Sequence, residues 1–260
     1  MADPSRVDFG KTAEDYGRHR QGFPDRFFEE LIRRGVAPLG ARALDLGTGT
    51  GTVARGLARR HVHVCGLDPA APLLEQARAL DAEVGVRVDY RVGAAEALPL
   101  EAATFDLVTA GQCWHWFDGP QVYAEVRRVL RPGGTLVIAH FDWLPLPGTV
   151  PALSEALILK HNSGWRFAGG DGFHTRWARD AWVAGGRDLE TFSFDVEATY
   201  SHADWRGRIR ASAGVGASLS PTAISAFDAE HELALRTHFP DEPLRIPHRA
   251  FALIVRMHGP

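Results

Sequence analysis

The chain has 260 residues, of which 45% are hydrophobic and 23% are charged, and its formal net charge is −3. This composition supplies enough apolar residues for a large buried core and excludes a globally disordered chain. Acidic and basic residues are interspersed and no run of about 18 apolar residues occurs, so we expect neither a nucleic-acid partner nor a membrane span.

The N-terminal sequence and the cysteines exclude further classes of protein. Residues 1–23 are polar and mixed, which predicts an N-terminal arm and no secretory signal. Cys65 and Cys113 are the only two cysteines and lie far apart, which argues against a disulfide framework and a structural zinc site. We therefore expect a cytoplasmic protein without a bound metal.

Residues 41–141 alternate between predicted strands and helices with short connections. After a first helix at 25–35, the pattern predicts strands at 41–47, 61–68, 86–93, 104–111 and 135–143, and helices at 52–61, 71–84 and 119–134. Such alternation indicates parallel strands joined by crossover helices, with ligands at the carboxyl ends of the strands. The predicted fold class is therefore α/β, with a doubly wound, mostly parallel sheet that has helices on both faces.

The last third of the chain has a weaker pattern. Residues 142–188 are rich in Pro, Gly, Trp and His, and the alternation that follows predicts a strand at 189–201. Helical patterns cover 202–213 and 221–238, and a final strand is predicted at 248–257. We interpret 142–188 and 202–238 as helical and loop cap insertions within a single domain of residues 1–260.

The strongest chemical signal is the segment LDLGTGTG at 44–51, where an apolar strand enters a glycine turn and then a helix. Glycines let the backbone approach a ligand closely, and the helix N-terminus offers unpaired N–H groups. A tight strand-to-helix connection without a ligand is the alternative reading. Residues 49–54 also satisfy the G-x-G-x-x-A dinucleotide fingerprint, with Asp68 at the expected distance, so an NAD-dependent oxidoreductase stays open. Asp45 argues against it, because a carboxylate there would repel a pyrophosphate and suits a ligand ammonium group.

Several ordered motifs resemble the class I S-adenosylmethionine-dependent methyltransferases, in particular the type 11 small-molecule subgroup that includes trans-aconitate methyltransferases. The matching segments are AEDYGRHRQGFP, LDLGTGTG, CGLDPA, GAAEALPLEAATFDLV, GQCWHWFD and VLRPGGTLVI. The resemblance implies a Rossmann-like, seven-stranded fold with a cofactor-binding core at 41–141. It also implies methyl transfer from S-adenosyl-L-methionine, with S-adenosyl-L-homocysteine as product, to an oxygen of a small-molecule acceptor.

The resemblance implies cofactor roles for individual residues. Gly47, Thr48 and Gly49 would hold the methionine portion, Asp45 would lie near its ammonium group, and Asp68 would accept bonds from both ribose hydroxyls. The other implied cofactor residues are Pro69, Ala95 and Glu96 beside adenine, Gln112 after the fourth strand, and Tyr16 and Arg20 in the arm. Ala94 departs from the family, which often has Asp there, so adenine recognition would depend on backbone groups or Glu96.

The sequence gives less specific signals for the residues that would bind the methyl acceptor. His115 and His140 are candidate general bases for a hydroxyl acceptor, whereas a carboxylate acceptor needs no base. Both histidines also have a purely structural reading. The candidate substrate-binding residues are Trp114, Trp116, His161, Trp165 and His174. Arg206 and Arg210, one helical turn apart, would face either an acid or water.

Two alternatives to a methyltransferase are kept: the NAD-dependent oxidoreductase, and a protein of the same fold that binds the cofactor without methyl transfer. The expected state is a monomer or weak homodimer.

Overall fold

The computed structural model describes residues 22–257, and its contacts divide the chain into two compact units. The larger unit contains residues 22–140 and 174–193 and the described residues from 250 onward. The smaller unit contains residues 141–173 and 194–249 within the described range.

The described residues form eight α-helices, one short 3-10 helix and seven strands. In chain order they are α1 (Asp25–Arg33), β1 (Arg42–Leu46), α2 (Thr52–Ala58), β2 (His63–Asp68), α3 (Ala71–Val84), β3 (Asp89–Val92), β4 (Phe105–Gly111), the 3-10 helix (Trp114–Trp116), α4 (Gly119–Val129), β5 (Leu130–Trp143), α5 (Val150–His161), α6 (Thr175–Val183), β6 (Gly186–Tyr200), α7 (His202–Arg210), α8 (Pro221–His238) and β7 (Leu244–Met257). None of these helices combines the length and the apolar character that a bilayer crossing requires.

The strands form one seven-stranded sheet in the order β3-β2-β1-β4-β5-β7-β6. β1 pairs in parallel with β2 and β4, β2 with β3, and β4 with β5. This confirms the predicted fold class. The strand order reverses at β1, which lies between β2 and β4, and in open sheets of this kind ligands bind at such a switch point.

Burial explains why β1 and its neighbours form the middle of the sheet. Leu44 and Leu46 in β1 and Leu107 in β4 are fully buried, as near-continuous apolar strands covered on both faces should be. Local signals then set the helix ends. The Asp118 carboxylate accepts a hydrogen bond from the Gln121 N–H at the start of α4, which satisfies a donor that the helix leaves unpaired.

The smaller unit has its own core, centred on Trp205, which is fully buried. Its indole Nε1 donates to Ser154 Oγ at 2.9 Å, and Ser154 Oγ is 2.9 Å from His231 Nε2. Burial lowers the pKa of His231 to about 4, so this histidine is neutral at pH 7. The apolar residues buried around this network include Val150, Leu157, Ile158, Ala198, Tyr200, Ile209, Phe227, Leu235 and Ile246.

The main differences from the predicted elements lie at residues 130–134 and within residues 142–188. The helix predicted at 119–134 ends at Val129, and β5 begins at Leu130 and runs through Pro132-Gly133-Gly134. The pairing of β4 with β5 is irregular in this stretch, between Phe105 and Leu107, which accommodates the glycines. Helices α5 and α6 lie in the segment where no regular pattern was predicted. α5 buries Ser154 and Glu155 along with its apolar residues, so its sequence shows no clean apolar face.

Candidate functional site

The glycine loop after β1 has the backbone conformation that its sequence predicts. Gly47, Gly49 and Gly51 have φ angles of +56°, +55° and +78°, in the left-handed region that favours glycine. A Cβ added at Gly47 would lie 2.9 Å from both Cβ and Sγ of Cys113, which follows β4. The Cys113 thiol in turn contacts the Leu46 carbonyl oxygen at 3.1 Å. The loops that follow β1 and β4 therefore meet in van der Waals contact at the switch point.

We expect Gly47→Ala to destabilise the protein by roughly 2–5 kcal/mol, because it combines left-handed strain with overpacking against Cys113. Gly85→Ala is the matched control, since Gly85 has a φ of +70° and open space around its Cα. The control should cost only about 1–2 kcal/mol of strain. Urea unfolding of both variants tests the difference, and equal costs would contradict the close approach of the two loops.

Asp45, near the end of β1, is 1% exposed. Its Oδ2 accepts from the Thr48 hydroxyl and its Oδ1 accepts from the Thr109 hydroxyl, each at 2.6 Å. Burial raises the pKa of this carboxyl to about 6, against the opposing effect of the two hydroxyls and the Ala54 N–H. The Asp45 carboxylate therefore links Thr48 of the glycine loop to Thr109 of β4. Its predicted role beside a ligand ammonium group stays a prediction.

The raised pKa of Asp45 makes the stability of the protein depend on pH. Because the folded-state pKa of about 6 exceeds the ordinary value of 3.8, the folded protein binds the extra proton between these values. The contribution of this carboxyl to the free energy of unfolding should therefore fall as pH rises from 4 to 6, by about 3 kcal/mol. Asp45→Asn has no such proton, so its free energy of unfolding relative to wild type should rise by that amount. A difference that does not change with pH in urea unfolding would contradict the assignment.

Asp68 ends β2 and is buried beside the same loop. Its Oδ2 accepts from the Gly49 N–H and its Oδ1 accepts from the Ala70 N–H, both at 2.9 Å. Burial raises the pKa of the carboxyl, and the two N–H groups oppose this shift. An ionised carboxylate has about four lone-pair sites. The side chain therefore keeps acceptor capacity for a ligand with two adjacent hydroxyl groups.

The residues predicted beside adenine have different surroundings. Pro69 is exposed at the start of the α3 region, and Ala95 is buried in the core. The Glu96 Oε1 accepts from the Asp118 N–H at 3.1 Å, ahead of α4. Gln112 has a φ of +62°, and its N–H donates to the Ala139 carbonyl at 2.8 Å. Tyr16 and Arg20 lie outside the described residues.

Three of the predicted acceptor-side histidines come together in the larger unit. The ring centroids of His115 and His140 are 5.4 Å apart, and those of His140 and His174 are 4.2 Å apart. Trp177 stacks on His174 at 4.2 Å with an interplanar angle of 4°. Trp116 adjoins the cluster, with its ring 4.6 Å from that of His115. We call these five residues the histidine cluster.

Trp177 was not predicted as a site residue. His174 is the N-cap residue of α6 and Trp177 lies in the first turn, where its N–H donates to the His174 carbonyl oxygen at 3.2 Å. The pair could therefore be recognised only once the start of α6 was known.

The other predicted substrate residues lie elsewhere. Trp114 is a core residue, with ring centroids 5.7 Å from Phe117 and 4.9 Å from Tyr123. His161 belongs to the smaller unit, where its Nε2 is 2.9 Å from Glu230 Oε2. Trp165 is also in the smaller unit, with its indole Nε1 buried and without a hydrogen-bond partner in the described part of the chain.

Known proteins share both the sequence pattern and the fold. The profile of the family described as "Methyltransferase domain" matches residues 44–138. An uncharacterized methyltransferase of Mycobacterium bovis is 37% identical over 132 residues, covering 50% of this chain and 50% of the relative. A ubiquinone biosynthesis O-methyltransferase of Hahella chejuensis is 41% identical over 133 residues, covering 50% of this chain and 56% of the relative. The chain thus matches about half of the length of these relatives.

A solved structure from Anaeromyxobacter dehalogenans, described provisionally as a type II methyltransferase, is 26% identical with a TM-score of 0.68. The match covers 93% of this chain and 99% of that one. The fold thus matches that of a solved structure described as a methyltransferase, and about half of the chain is similar in sequence to proteins named as methyltransferases. Residues 44–138 of this chain are therefore similar to the family described as "Methyltransferase domain". The trans-aconitate subtype is not confirmed.

Proposed function

We propose that this protein transfers a methyl group from S-adenosyl-L-methionine to an oxygen atom of a small-molecule acceptor. The observation that carries the cofactor assignment is the position of Asp68. Its carboxylate is buried at the end of β2, held by the Gly49 N–H, and retains lone pairs for further donors. Hydrogen bonds to an ionised carboxylate are stronger than those between neutral groups. The two adjacent hydroxyl groups of a ribose can donate such bonds to the Asp68 carboxylate.

The loop residues fit the remainder of the cofactor. Gly47 has no room for a side chain on the Cys113 side, and its left-handed backbone turns the chain at the carboxyl end of β1. The backbone of Gly47, Thr48 and Gly49 would hold the methionine portion, with Asp45 fixing Thr48 through its hydroxyl. When bound, S-adenosyl-L-methionine supplies a methyl group attached to a positively charged sulfur.

The histidine cluster supports an oxygen acceptor. A hydroxyl must lose its proton as it becomes an ether, and a neutral imidazole of His115 or His140 can accept that proton. A carboxylate acceptor has no proton to lose and needs the cluster only for positioning. The relative from Hahella chejuensis, which is named as an O-methyltransferase, supports the choice of oxygen.

Parallel calorimetric titrations with S-adenosyl-L-methionine, S-adenosyl-L-homocysteine and NAD test the cofactor assignment. We expect micromolar binding of the first two and none of NAD. Binding of NAD alone would instead favour an oxidoreductase, which the fingerprint at residues 49–54 keeps as an alternative.

A shared fold does not by itself establish the reaction, so methyl transfer needs its own test. Incubation with methyl-labelled S-adenosyl-L-methionine and a panel of hydroxyl and carboxylate acceptors should give a labelled ether or ester. A cofactor that binds and stays intact with every acceptor would favour a binding protein of the same fold.

A further inference from the structure

One arginine of the smaller unit is buried without an anionic partner among residues 22–257. Arg208, in α7, is 8% exposed. Its guanidinium carbon lies 4.8 Å from the centroid of the Trp143 ring. In residues 22–257 the Arg208 side chain makes neither a hydrogen bond nor an ion pair. Burial lowers the pKa of the guanidinium from its usual value, although an arginine stays protonated at neutral pH.

The two neighbouring arginines on the same helix behave differently. Arg210 pairs with Asp228 at 2.8 Å, and Arg206 contacts Asp228 and also pairs with Glu232 at 2.7 Å. These are the arginines that the sequence pattern singled out, and both are neutralised by α8. Arg208 lies between them on the buried side of α7 and has no acidic partner in the part of the chain that the structure describes.

A buried cation of this kind is costly unless something compensates it. The face of Trp143 offsets only a part of that cost. Asp142 and Tyr200 are near enough to favour the charged form of Arg208 electrostatically, yet no ion pair joins Asp142 to Arg208 within residues 22–257. His248, which is also nearby, has a pKa lowered to about 4 by burial, so it adds no positive charge at pH 7. The local charge therefore amounts to one cation with an acid in its vicinity.

We propose that the smaller unit contains a binding site for a small monocarboxylic acid, in which the guanidinium of Arg208 pairs with the ligand carboxylate. A planar guanidinium matches a carboxylate in a two-bond geometry. A single cation with Asp142 nearby favours a monoanion over a phosphate dianion. The aromatic residues around Arg208 favour an acid with an apolar, planar body.

The Trp143 ring is fixed in place by an independent set of bonds. Its indole Nε1 donates to Glu155 Oε1 at 2.7 Å, and Glu155 Oε2 accepts from the Gly169 N–H at 2.7 Å. A preorganised ring beneath the guanidinium limits the positions that Arg208 can take, which reduces the ordering cost of binding. This inference concerns the smaller unit alone and holds whether or not the chain transfers methyl groups.

Calorimetric titration with benzoate, methyl benzoate and inorganic phosphate tests the proposal on the full chain. Wild type should bind benzoate in the millimolar range and bind neither the neutral ester nor phosphate. Arg208→Gln should weaken benzoate binding at least tenfold, Arg208→Lys should weaken it less, and Arg210→Gln should leave it unchanged. No benzoate binding, equal binding by Arg208→Gln, or a preference for phosphate or the ester would each overturn the proposal.

Thermal unfolding of the ligand-free protein separates a binding role from a structural one. Arg208→Met removes a buried charge that has no ion-pair partner among the described residues, so it should keep or raise Tm, by up to about 2–4 °C. Arg206→Met strips Asp228 and Glu232 of a partner and should lower Tm. If Arg208→Met lowers Tm as much as Arg206→Met does, the guanidinium is a structural group and the proposal fails.

Discussion

Replacing Asp68 by alanine is expected to weaken the binding of S-adenosyl-L-methionine by roughly 10- to 150-fold, which corresponds to about 1.5–3 kcal/mol for lost charged hydrogen bonds. The variant removes the carboxylate proposed to accept the ribose hydroxyls. It also leaves the N–H groups of Gly49 and Ala70 without their acceptor. Calorimetric titration of the variant and the wild type gives the ratio directly.

Two further variants separate the ribose contact from loop disorder. Asp68→Asn keeps one acceptor oxygen for a backbone N–H but loses the negative charge, so it should bind the cofactor with intermediate affinity. Asp89→Ala removes an exposed carboxylate at the start of β3 that pairs with Arg91, and it should bind like wild type. If Asp68→Ala binds S-adenosyl-L-methionine as tightly as wild type does, the proposed contact of Asp68 with the ribose is wrong.

His115→Ala is expected to lower kcat by about 10²-fold with a hydroxyl acceptor, if its imidazole takes the acceptor proton. The side chain is exposed on the 3-10 helix that follows β4, so its removal should leave the core intact. Affinity for S-adenosyl-L-methionine should stay at the wild-type value, because no cofactor role is proposed for this residue.

The matched control is His63→Ala, which removes an exposed histidine at the other end of the strands, where β2 begins. It should leave kcat unchanged. If His115→Ala raises KM without lowering kcat, His115 contacts the acceptor but does not take its proton. His140→Ala, measured alongside, shows which of the two imidazoles carries the proton.

The parts of the site that depend on strand order were predictable from the sequence. Buried parallel strands must carry near-continuous apolar runs, so β1, β2 and β4 are visible in the pattern, and their carboxyl ends meet at one edge. Asp45, Asp68 and the glycine loop follow directly from this. The hydrogen-bond partners of these carboxylates could not be predicted in the same way. Thr109, for example, donates to Asp45 from a strand 64 residues further along the chain.

The acceptor side was less predictable because its helices carry mixed patterns. His174 precedes α6 as its N-cap residue and Trp177 lies in the first turn, but the glycines on both sides obscured the helix. The arginines of α7 show the same limit. Their spacing indicated that Arg206 and Arg210 share a face, whereas only the acids of α8 decide that these two are neutralised and that Arg208 is not.

The position of β7 has a consequence for how the chain is made. This strand is the seventh in sequence, yet it lies between β5 and β6 in the sheet. During translation, β5 and β6 leave the ribosome before β7, which lies between them in the sheet. Each of the two strands therefore has an unpaired edge until residues 244–257 are synthesised. Exposed edges of this kind invite pairing with other nascent chains. Expression yield should therefore respond to the speed of synthesis between residues 200 and 257 more than to that over the first half of the chain.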